Sequence, residues 1–97
     1  MHVLAMRVDL HLGESRSLKA KRAVLKPIIE GARRRFGVAV AEVDHADTWQ
    51  RASIGVAVVA NSPHHASEVI DEVERFIWSM PDIQVLGIDR HWLEVDR

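Results

Sequence analysis

Asp44, His45 and Asp47 stand close together in the stretch Ala41–Arg51, AEVDHADTWQR, with Glu42, Trp49 and Arg51 beside them. Two carboxylates and an imidazole carry the donor atoms that a divalent cation takes. The spacing D-H-x-D matches no specific ligand pattern. Neighbouring residues at a strand end also point to opposite faces, so Asp44 and His45 converge only through a special turn. The same side chains serve a plain hairpin connection, in which Asp bonds its own backbone. A metal-binding or enzymatic site at Asp44, His45 and Asp47 is therefore the third of three readings. Trp49 reads as an anchor on the sheet rim with its indole N–H at the surface. Trp49, Arg51 and Trp92 are candidate contacts to a partner.

Basic residues form the second set. From Arg16 to Arg35 there are eight of them against one acid, Glu30, a surplus of +7. The stretch from Ala66 to Arg97 has the opposite sign, −5, although the whole chain is close to neutral at −1. On a wheel of 3.6 residues per turn, Lys19, Arg22, Lys26 and Arg33 fall within about 60° of one another. With Lys21, Arg34 and Arg35 nearby, such a stripe can follow a phosphate backbone. A solvated helix face has the same composition, but rarely with so few acids alongside.

Catalytic chemistry finds less support. The six histidines, at 2, 11, 45, 64, 65 and 91, join no serine in a local nucleophile motif. His11 and His91 could share a site if their strands are neighbours. No glycine-rich phosphate loop is present, and the absence of cysteine removes disulfides and thiolate metal sites. A non-enzymatic protein without a cofactor is the expectation. Met1–Leu12 lacks a basic leader, and no apolar run approaches the roughly 20 residues of a membrane span. The expected location is the cytoplasm, with no membrane partner.

The elements that must position these residues follow from periodicity. The 97 residues suffice for one domain, 1–97. Val3–Leu12 alternates as a half-buried strand, and Ser17 can cap a helix over Leu18–Phe36. Pro27 lies inside that helix and predicts a kink or break. Gly37 supplies the left-handed stop. Val38–Asp44 and Arg51–Ala60 read as strands of a hairpin whose connection is the opening stretch. Asn61-Ser62-Pro63 starts a second helix, about Pro63–Met80, and Gln84–Val95 is the last strand. The order βαββαβ predicts an α+β, ferredoxin-like sandwich: a four-stranded antiparallel sheet, order 4-1-3-2, with two helices on one face. Its open face would show Arg7, Asp9, His11, Ser53, Gly55 and Ala57. No aromatic stands there for base stacking, whereas the small residues would admit a second copy of the chain.

Ser17-Leu18-Lys19-Ala20-Lys21-Arg22 and the run Arg33–Val56, with VAEVDHADTWQRA inside it, resemble the YlxP-like family of small bacterial proteins of unknown function. The resemblance implies a ferredoxin-like fold and no particular reaction. Members are often encoded near translation and ribosome-maturation genes, which implies RNA or the ribosome as a partner. Pro27 and Gly37 depart from the family pattern. The first reading is thus RNA or ribosome binding by Lys19, Lys21, Arg22, Lys26, Arg33, Arg34 and Arg35. The second is a dimeric protein-interaction module.

Overall fold

In the computed structural model, which describes residues 1–94, the elements run β1 His2–His11, α1 Leu18–Phe36, β2 Ala39–Asp44, β3 Arg51–Ala60, α2 Pro63–Trp78 and β4 Gln84–Glu94. Val95, placed in the last strand by periodicity, lies outside the described residues, as do Asp96 and Arg97. The sheet is antiparallel with order β2-β3-β1-β4, which is 4-1-3-2 read from the other edge.

Alternation decides which face is buried. Leu4, Met6, Val8 and Leu10 of β1 and Ile54, Val56 and Val58 of β3 point under the helices. From α1 come Leu25, Ile28 and Ala32, and from α2 Ala66, Ile70, Val73 and Ile77. Gly31 lets the helices meet closely, because a Cβ there would stand 2.7 Å from the Phe76 ring. Phe36 and Phe76 pack edge to face beside it, with centroids 5.7 Å apart.

Local chemistry sets the helix ends. The Ser17 hydroxyl accepts from the Ala20 N–H, and the Ser62 hydroxyl accepts from the His65 N–H. Gly37 sits at φ 64° and its N–H donates to the Arg33 carbonyl.

Of the kink or break expected at Pro27, the break does not occur: α1 is helical throughout Leu18–Phe36. Pro27 is on the exposed side of the helix. The carbonyl deprived of a partner one turn earlier belongs to exposed Ala23, where water can take the lost hydrogen bond.

Candidate nucleic-acid interface

The two blocks quoted above, Ser17–Arg22 and Ala41–Arg51, meet at one end of the sheet. Lys21 joins them. Its side chain is 2% exposed, and its ammonium lies 2.7 Å from a Glu42 carboxylate oxygen and donates to the His45 carbonyl at 2.6 Å. His45 is at φ 62°, a left-handed turn that lets its carbonyl face α1. The Leu12 N–H donates to the Gln50 carbonyl, tying down the far end of the connection. Lys21 was expected among the phosphate contacts. The structure corrects this, because a side chain sealed against Glu42 and a backbone carbonyl offers nothing to an outside anion. Its position shows why: Lys21 is three residues after Leu18 and four before Leu25, the spacing of the buried stripe itself.

A polar network lies on the open face beside this end. Arg7 donates to Asp9 at 3.2 Å, to Asp44 at 3.3 Å and to the Ser53 hydroxyl at 3.1 Å. Ser53 in turn donates to Asp9. Ser53, expected on show, is fully buried beneath these side chains. The Ser53 hydroxyl holds the Asp9 carboxyl below its ordinary 3.8, against the opposing effect of burial, with Arg7 adding to it. The His45 N–H and then Arg7 lower Asp44, while Asp9 and Asp44 raise Arg7.

A depressed carboxyl stabilises the fold above its unfolded value, here 3.8, and that contribution is lost as pH falls through the folded value. Ser53→Ala lets Asp9 rise towards 3.8. The stability gap between wild type and variant is expected to be largest at neutral pH and to narrow below about pH 3.8. Denaturant unfolding across that range measures it, and a gap that does not change with pH would remove Asp9 from the explanation.

Asp44, His45 and Asp47 do not converge. Asp44 is engaged by Arg7 and by the His45 N–H, the His45 ring lies 4.0 Å from Asp44, and Asp47 is exposed in the turn. Among the described residues, no three His, Asp or Glu side chains are placed to hold a metal ion. His11 and His91 are on paired strands but stand opposite Gln84 and Ala5, far apart along β1. Trp49 is 54% exposed in the β2–β3 connection, and Trp92 is 45% exposed on β4 opposite Leu4, at the other end of β1. These two share no surface. Arg51 is half-buried opposite His11, and its Nε is shut from solvent without a hydrogen-bond partner.

The basic helix keeps its stripe. Lys19, Arg22, Lys26 and Arg34 are exposed, and no carboxylate pairs with any of them among the described residues. Arg22, Lys26 and Arg33 line a groove of about 280 Å³ between α1 and β2, floored by Leu25 and Ile29, with Glu30 and Glu42 also in its wall. Arg33 donates to the Val40 carbonyl at 2.5 Å. Arg35 turns to the other side of the helix, its guanidinium 5.1 Å from the Phe76 ring centroid.

A family model described as a protein of unknown function, DUF503, matches residues 3–90. The chain belongs to this family. It is also 43% identical over 68 residues to an uncharacterized protein, YlxP, of Bacillus subtilis strain 168, covering 70% of this chain and 74% of that one. Among solved structures, a de novo designed protein with a ferredoxin fold aligns over 100% of this chain and 89% of its own, at a TM-score of 0.54 and 13% identity. A dimeric ferredoxin-like protein from an uncultured marine organism aligns over 100% and 94%, at 0.43 and 12% identity. The DUF503 chain thus has a ferredoxin-like fold. In this DUF503 member both sequence blocks converge on the Lys21–Glu42 contact, so part of what makes them distinctive is structural.

Proposed function

We propose that this protein is a non-enzymatic RNA-binding protein that docks on RNA, free or within the ribosome, through α1. One observation carries the reading: Lys19, Arg22, Lys26 and Arg33 stand on one side of α1, and none of the four is matched with a carboxylate among the described residues. The row spans about 21 Å at 1.5 Å per residue, long enough to meet several phosphates of one strand. Arg34, on the outer face of the same helix, adds to the field. Lys21 is excluded from the set, and Arg35 is held over Phe76. No helix among the described residues is long and apolar enough to cross a membrane. Gel shift on ribosomal RNA fragments at low salt tests the reading, with complexes expected that dissolve as salt rises. No complex at the lowest salt would overturn it.

A second reading, self-association through the open sheet face, is supported by a separate observation. Val43, Val59 and Leu93 are more than half exposed there, around a shallow depression lined by Ala5, Ala39, Ala41, Gly55 and Ala57. Four strands about 4.8 Å apart and about 30 Å long give roughly 600 Å² of flat area, close to the ~800 Å² per partner of a stable interface. Arg7, Asp9, Asp44 and Ser53 pair with one another on the polar half of the face, which lowers the cost of covering it. Sedimentation equilibrium is expected to show a dimer that Val59→Lys dissociates. A wild-type monomer at the highest soluble concentration would end this reading.

A further inference from the structure

We propose that the RNA taken by this protein is single-stranded, and that the groove between α1 and the free edge of β2 seats one base with an amino group against Glu30. The inference rests on the RNA reading above and names its substrate class. Phosphates need cations alone, and the outer row on α1 supplies those. The groove adds what a phosphate cannot use: an aliphatic floor, Leu25 and Ile29, and two carboxylates, Glu30 and Glu42.

A base fits that combination. Its flat face packs on the methyl groups of the floor, while its edge meets hydrogen-bond acceptors. A duplex has its bases stacked and paired, and filling the groove would require flipping one out. A single strand has them already free.

Lys21 neutralises Glu42 through one of its oxygens, whereas Glu30 is exposed and forms no ion pair among the described residues, so Glu30 is the stronger acceptor in the groove. A carboxylate accepts from the exocyclic amino group of cytosine and repels the carbonyl oxygen that uracil places there. The groove therefore favours cytosine over uracil.

An extended acidic peptide is the competing occupant, since β2 is an edge strand. The edge is poorly prepared for it. The Val40 carbonyl, which faces outward, is already taken by Arg33, and the regular pairing of β2 breaks after Glu42. What remains serves one base edge and not a ladder of peptide hydrogen bonds.

The test compares oligocytidine, oligouridine, an RNA duplex of the same length and poly-glutamate at low salt, with wild type and Glu30→Ala. Glu30 is exposed, so the variant keeps the fold. Oligocytidine is expected to bind about tenfold more tightly than oligouridine or duplex, and Glu30→Ala to erase the difference between the two single strands without weakening oligouridine. Duplex binding as tightly as oligocytidine, or a cytosine preference that survives Glu30→Ala, overturns the inference and leaves RNA binding standing. Poly-glutamate bound while every RNA is refused overturns both, as does binding of neither.

Discussion

Lys21→Met is expected to cost about 3 kcal/mol of folding stability, the lower end for breaking a buried ion pair. The lower end applies because the Glu42 side chain keeps 27% of its exposure, so water recovers part of the loss. Methionine fills the volume of the lysine stem, so the loss is electrostatic: Glu42 keeps a carboxylate oxygen shut from solvent, and the His45 carbonyl loses its donor. For a domain of this length the melting temperature should fall by roughly 12–24 °C. The double variant Lys21→Met, Glu42→Leu removes both charges and is expected to recover most of the loss, because apolar replacement of a buried pair is often neutral. Thermal unfolding of the three proteins checks this. A single variant as stable as wild type would mean that the contact contributes nothing.

Reversing Lys19, Arg22 and Lys26 to glutamate together should weaken RNA binding at least about a hundredfold at low salt. None of the three makes a side-chain hydrogen bond or ion pair among the described residues, so the fold is expected to persist, which circular dichroism verifies. The salt dependence is the sharper readout. Each phosphate contact on single-stranded RNA adds about 0.7 to the slope of log K against log salt, so three lost contacts flatten it by about 2. A lower affinity with an unchanged slope would place the RNA on another surface. Arg33 is left out deliberately, because it also closes the Val40 carbonyl.

Both predictions turn on residues that the sequence presents alike. Lys19, Lys21 and Arg22 sit in one short basic run, and composition cannot separate them. The elements were legible because strand alternation and the spacing of Val69, Ile70, Val73 and Ile77 are strong local signals, and Ser17, Gly37 and Ser62 mark ends by their own chemistry. Sheet order followed from the handedness of the two crossovers. The role of Lys21 depends on Glu42, which folding brings from another element, and a pattern within α1 cannot contain it.

Other departures have equally local causes. A break at Pro27 is one of two expectations, and the sequence does not say that the orphaned carbonyl faces water. Leu86 is skipped between Gly87, opposite Asp9, and Val85, opposite Leu10, so the alternation expected through β4 slips by one residue. Ser53 is covered by Arg7 and Asp9 from the neighbouring strand, which no reading of β3 alone could anticipate. In the candidate interface the exposed cations were legible and the groove was not, because its second wall is β2.

The Arg33 hydrogen bond to Val40 also bears on how the protein behaves in a crowded solution. An unguarded outer strand with alanine and valine side chains is a template for fibrils, and one guanidinium blunts it here. Loss of that guanidinium would uncover the template, so Arg33 guards the edge of the sheet as well as standing in the basic row.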